Sequence, residues 1–139
     1  MSKKIYFLTG IFVFVFCMAQ AIQAQEDVGR LLQELENNSD RFSKSFDNAL
    51  DNSEINGTST EGEVTRYVHE FEDSTDRLKK SYDQRKEARV AAQDVVYRAK
   101  AINKVMKKYK LDSTSQTDWK SVKANLDRLA AAYNMKAKW

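Results

Sequence analysis

Residues 76–96 read DRLKKSYDQRKEARVAAQDVV, and whether this stretch stays helical or turns decides the fold. The 139-residue chain has no proline and its last glycine is Gly62. Neither of the strongest breakers therefore interrupts anything from here to the end. Ala, Lys, Arg, Glu and Gln dominate the stretch, so helix is the expected state. An apolar stripe at spacings of four and three runs through Val64, Val68, Phe71, Thr75, Leu78 and Tyr82, then resumes at Ala92, Val96, Ala99, Asn103 and Met106. Tyr67, Val95, Ile102 and Val105 widen it. Between its halves the stripe positions fall on Arg85 and Arg89, charges where a helix seam wants apolar side chains. Read literally, residues 61–109 form one helix roughly 70 Å long at 1.5 Å per residue. The alternative is a bend near residues 85–89. Thr60 with Glu63 offers a capping box for its start.

Upstream, Val28, Leu32, Leu35, Ser39, Phe42, Phe46 and Ala49 keep the same spacing and predict a first helix over residues 26–50. Ser39 is its polar lapse, inside ENNSD, where Asn and Ser compete for backbone hydrogen bonds and a kink or restart is expected. Residues 51–60, DNSEINGTST, read as a loop around the turn dipeptide Asn56-Gly57. Asn56-Gly57-Thr58 also matches a glycosylation acceptor, but the turn accounts for it. Downstream, a third helix over residues 114–134 begins near Ser113 or Ser115, with Ser113 and Gln116 as its capping box. Trp119, Val122, Leu126, Leu129 and Tyr133 line its inner face, and Asn134 suits the left-handed position that ends helices.

These lengths predict an all-α protein: an elongated antiparallel helical bundle, coiled-coil-like in its seam, around a long central helix. It has three helices, or four if the central helix bends near 85–89. If that helix stays straight, two molecules associate to cover its exposed seam. If it bends, the pieces collapse into a four-helix bundle.

The N-terminus reads MSKKIYFLTGIFVFVFCMAQAIQAQ. Two lysines, an apolar run and small residues are the layout of a secretory signal peptide. Its apolar run is about 15 residues against the roughly 20 of a spanning helix. We expect residues 1–24 to be removed after Ala24, with Ala21 the other small-residue site. Phe16 directly before Cys17 argues against lipid attachment. Residues 25–139 then form a single domain, exported to the periplasm or the outside of a bacterium. The chain's one cysteine lies in the leader, so disulfides, thiol catalysis and Cys-based zinc sites leave with it. Val, Ile, Leu and Phe make up 21 of the remaining 115 residues, a thin core that tyrosines, tryptophans and alanines enlarge.

Charge is unevenly placed. Residues 25–76 hold 14 acidic and 4 basic side chains, whereas residues 77–139 hold 6 acidic and 17 basic. One reading is internal, the halves attracting each other within a compact bundle. The other is external, each half attracting a partner. Exposed pairs contribute only about 0–1 kcal/mol each, so such charges steer more than they stabilise. Residues 77–110 are the densest basic segment. Within it Lys100, Lys104, Lys107 and Lys108 share a face away from the apolar stripe and form a candidate anion-binding face for lipid head groups, cell-wall polymers or other polyanions. An ordinary solvated helix face is the competing explanation. No nucleic-acid motif is present, and nucleic acid is not expected as a partner.

Catalytic chemistry finds little support. His69, the sole histidine, makes His-x-x-Glu with Glu72, but a di-metal carboxylate bundle needs an inward Glu-x-x-His on each of two helices. We expect no catalytic residues, no metal site and no cofactor. Phe42, Phe46, Phe71, Trp119, Leu126, Leu129 and Tyr133 are expected in the core. Trp139 is expected to fold back as a clasp over the last helix, burying on the order of 200 Å²; the alternatives are a tag offered to a partner or a frayed end.

RFSKSFDNALD, TRYVHEFEDSTDRLKKSYDQR, AINKVMKKYKL and DWKSVKANLDRLAAAYNMKAKW together resemble a group of exported, uncharacterised bacterial helical proteins. These share a terminal Trp…Leu-Asp…Leu-Ala…Tyr-Asn…Trp pattern. The resemblance implies an all-helical protein of the cell envelope and supplies no activity. The expected function is that of a non-enzymatic interaction or structural protein, with a homodimer or an envelope protein as partner. The alternative is a polyanion- or membrane-surface-binding protein using residues 77–110.

Overall fold

The computed structural model describes residues 6–139, with residues 6–27 described by their backbone alone. The expected leader, residues 1–24, lies outside the residues whose side chains are described. Four helices follow in chain order: α1 (Tyr6–Asp51), α2 (Ser59–Asp83), α3 (Arg89–Tyr109) and α4 (Ser113–Ala132). The described residues contain no strand, so the chain is all-α.

The stretch at 76–96 turns. The single helix expected over 61–109 is two helices, separated by residues 84–88. Arg85 enters the left-handed region at φ 53°. Its N–H donates to the Tyr82 carbonyl at 2.9 Å, and the Lys86 N–H donates to Ser81 at 2.9 Å. That pair of reversed bonds is a Schellman close, usually built on glycine. Here arginine takes the strained position, and the break frees Arg85 and Arg89 from the seam into solvent. The desolvation of two guanidinium groups is thus avoided.

Ser39, by contrast, breaks nothing. α1 passes through it without interruption, because its hydroxyl donates to the Leu35 carbonyl at 2.8 Å and is satisfied inside its own helix. Ser45, Ser74 and Thr75 do the same toward Phe42, Phe71 and Glu72. Buried hydroxyls therefore pack as small side chains with no orphaned polar atom.

The caps differ from those expected. Thr58, not Thr60, is the N-cap of α2 and accepts from the Glu61 N–H. Glu61 accepts from the Gly57 N–H at 2.6 Å, one residue before the cap, so the capping interaction sits two residues earlier than expected and leaves Glu63 to accept from Tyr67. Asp112, not Ser113, caps α4, accepting from the Ser115 N–H at 2.7 Å. The carboxylate is the stronger acceptor at the positive end of a helix. α4 stops at Ala132, two residues short of the expected end, and Asn134 takes the expected left-handed conformation at φ 52°.

Cross-helix bonds give the directions. Glu34 pairs with Arg128, Asn38 with Asn125 and Arg41 with Asp118, so α1 and α4 run antiparallel. Glu70 pairs with Arg98 and Arg77 with Asp94, so α2 and α3 do too. α1 packs on α4 and α2, α2 on α3, and α3 only sparsely on α4. At the centre the Trp119 ring lies 5.0 Å from Phe42 and 6.2 Å from Phe71. Its indole N–H donates to the Asn103 carboxamide oxygen at 3.1 Å. One side chain of α4 thereby touches α1, α2 and α3.

Candidate functional site

α3 is held by α2 on one flank and only loosely by α4 on the other, so much of its outer surface stays open. Lys100, Lys104, Lys107 and Lys108 are all exposed on it. Among the described residues, Lys100, Lys104 and Lys107 take part in no ion pair. Lys108 lies 4.7 Å from the centroid of the Tyr109 ring, and its bond to Tyr109 holds the ammonium above its ordinary pKa. All four lysines are thus on the open surface of α3, and Lys100, Lys104 and Lys108 line one groove. Two other exposed residues of α3 were passed over by sequence reasoning, and Tyr97 lines the groove with the lysines. Val90 is 69% exposed and Tyr97 is 75% exposed, the two large apolar side chains left in solvent among the described residues. Both lie off the stripe, and a tyrosine off the stripe beside lysines is the signal that marked this surface.

Two grooves flank α3. The first, ≈ 610 Å³, lies between α2 and α3 and is lined by Glu63, Tyr67 and Glu70 on one wall and Tyr97, Lys100, Lys104 and Lys108 on the other. Its acidic wall is only partly paired within the protein. Glu70 accepts from Arg66 at 2.6 Å and Arg98 at 2.8 Å, and Glu63 accepts from the Tyr67 hydroxyl, which raises the phenol's pKa. Beside it, burial pushes the Asp94 carboxyl up, but hydrogen bonds from Arg98 and Arg77 outweigh that and hold it below the usual carboxylate value. On the facing rim Lys100 and Lys104 form no ion pair among the described residues, while the Glu63 carboxylate acts on Lys108.

The second groove, ≈ 290 Å³, lies between α3 and the C-terminal tail. Arg89, Gln93, Val96, Tyr97, Lys100, Met135 and Lys136 line it, with no carboxylate among them. Tyr97 and Lys100 border both grooves, so they stand on a ridge between two depressions.

The expected core residues are placed as follows. Phe42, Phe46, Phe71, Trp119, Leu126 and Leu129 are buried, and Tyr133 and Trp139 are partly buried against the same cluster. The Trp139 N–H donates to Asp127 at 2.7 Å. Asp127 is exposed, so the ring lies along the flank of α4 rather than across its inner stripe. His69 is 62% exposed, with its Nδ1 3.4 Å from Glu72. Among the described residues no group of three or more His, Cys, Asp or Glu could hold a metal ion. No helix of the described residues is long and apolar enough to cross a membrane. No family model, curated protein or solved structure matches the chain.

Proposed function

We propose that this chain is an exported, non-enzymatic helical interaction protein of the bacterial envelope, whose contact surface is the outer face of α3. The observation that carries the reading is the 75% exposure of Tyr97 beside Lys100 and Lys104, which form no ion pair among the described residues. Tyrosine is enriched at contact surfaces relative to the rest of a protein's exterior, with charged residues kept to the rim. Export rests on the layout of residues 1–24. The family resemblance of the terminal pattern supports the envelope assignment, and the core of small and apolar side chains supports a structural rather than a catalytic interior.

A photo-crosslinking side chain placed at position 97 in the native host tests the contact surface. One dominant adduct is expected, either a homodimer or a single envelope partner, with none from the exposed position 73 on α2. Equal yields from both positions would overturn it. Export is tested by N-terminal sequencing of the periplasmic or secreted form, which should begin at Gln25; a cytoplasmic chain retaining its leader would remove the envelope from the proposal.

A second reading has its own support. Lys100, Lys104 and Lys107 are exposed cations without internal partners, the arrangement of a polyanion- or membrane-surface-binding face. Its affinity for an anionic polymer should fall steeply with salt, because each neutralised charge releases a counterion.

A further inference from the structure

We infer that the ridge of α3 binds an acidic polysaccharide chain, a deepening that rests on the polyanion reading above. Arg89, Lys100, Lys104 and Lys108 lie along one side of α3. From Arg89 to Lys108 this line spans about 28 Å at 1.5 Å per residue. Lys136 joins it from the tail across the second groove. Such a row suits a linear polymer carrying regularly spaced carboxylates or other anions.

Tyr97 selects among polyanions. Its ring stands at the middle of the row, between the two grooves, and Lys100 follows it within one helical turn. A pyranose ring presents a face of C–H groups with slight positive character, which complements the electron-rich face of an aromatic ring. A sugar stacked on Tyr97 would place its acidic substituents beside Lys100 and Lys104, with its neighbours in the chain running toward Arg89 and Lys108. A bilayer fits the surface less well. It is flat and cannot follow two grooves, and Val90 and Tyr97 offer little apolar surface for insertion. A nucleic acid could stack a base on Tyr97, but the proposed export argues against it and the oligothymidine probe tests it.

The test uses the purified protein with four probes: polygalacturonate, polyglutamate of matched carboxylate content, phosphatidylglycerol vesicles and an oligothymidine. Polygalacturonate is expected to bind more tightly than polyglutamate by about fivefold at equal ionic strength, the scale of one aromatic contact. Tyr97→Ala should abolish that margin while leaving polyglutamate binding unchanged. Lys100→Gln and Lys104→Gln should weaken both polymers alike and lower the salt dependence by about one counterion each. Equal binding of the two polymers, an undiminished margin in Tyr97→Ala, or tighter binding of vesicles or oligonucleotide would overturn the inference while leaving the basic face standing. Failure of every probe to bind at low salt would remove the polyanion reading as well. Tyr97, Lys100 and Lys104 are exposed, so these variants keep the fold, which their melting curves verify.

Discussion

Trp119 sits where four helices meet, and its only polar atom is buried. The Asn103 oxygen that receives its N–H is itself buried on α3. Asn103→Ala leaves the indole N–H without a partner inside the core, which costs about 1–3 kcal/mol. Trp119→Phe removes the donor and leaves the carboxamide unpaired instead. The double variant Asn103→Ala/Trp119→Phe has no orphaned group, so its loss, measured by urea unfolding, should be less than the sum of the two single losses. Strict additivity would show that the bond contributes nothing.

Two carboxylates at the surface act on pH stability in opposite senses. Burial raises the Glu72 carboxyl above its ordinary 4.5, despite hydrogen bonds from Ser43 and His69. Between that value and the raised one the folded chain binds more protons than the unfolded chain, so stability falls as pH rises through this window. Glu72→Gln should therefore melt higher than the parent at pH 7, and the difference should vanish below pH 4.5. Asp94, held below its ordinary 3.8 by Arg98 and Arg77, contributes stability that is present above 3.8 and lost as pH falls through its lowered value. Asp94→Asn should melt lower at pH 7 and match the parent in strong acid.

At the scale of the elements, periodicity and capping chemistry were legible to different degrees. The four-three stripe is a direct consequence of helical geometry, so the second half of α1 and the halves of the central segment could be read from Leu35, Phe42, Phe71 and Leu78, whereas the helix itself starts at Tyr6 and not near Glu26. The break could be placed only near Arg85 and Arg89, because the residue that makes it carries no glycine signature. Glycine tolerates the left-handed conformation, whereas arginine adopts it at a cost of about 1 kcal/mol. Only the packing of α3 back on α2 shows that this cost is met. The N-caps were displaced for a related reason: Thr58, Thr60, Asp112 and Ser113 all qualify locally, and the loop geometry chooses. Arg85→Gly relieves the strain at an exposed position where nothing else depends on the side chain. It should stabilise the protein by about 0.5–1 kcal/mol, visible as a rise in the urea midpoint at unchanged slope. An unchanged or lowered midpoint would mean that the guanidinium group does something the backbone does not reveal.

For the whole molecule, part of the charge polarity of the sequence is met internally. Glu34–Arg128 and Glu70–Arg98 join the acidic half to the basic half, while Arg41–Asp118 runs the other way. The lysines of α3 are left over. Their position could be read from the sequence, and the off-stripe place of Tyr97 was a signal of its exposure, which α4 completes by packing mainly on α1 and leaving α3 with an open flank. The tail covers part of that gap. Met135 donates its N–H to the Ala130 carbonyl at 2.7 Å, closing α4 on Asn134, and packs with Trp139 against the edge of the core. Trp139 is held at its far end by Asp127. Deleting residues 135–139 removes partial burial of two large side chains and two hydrogen bonds, against the entropy regained by five residues. The net loss is about 1–2 kcal/mol, or several degrees in melting temperature. Asp127→Ala tests the anchor separately and should reproduce a minor part of the loss, because an exposed hydrogen bond contributes less than the packing it positions. A melting curve indifferent to the deletion would make the tail a passenger and return the last tryptophan to the role of a tag.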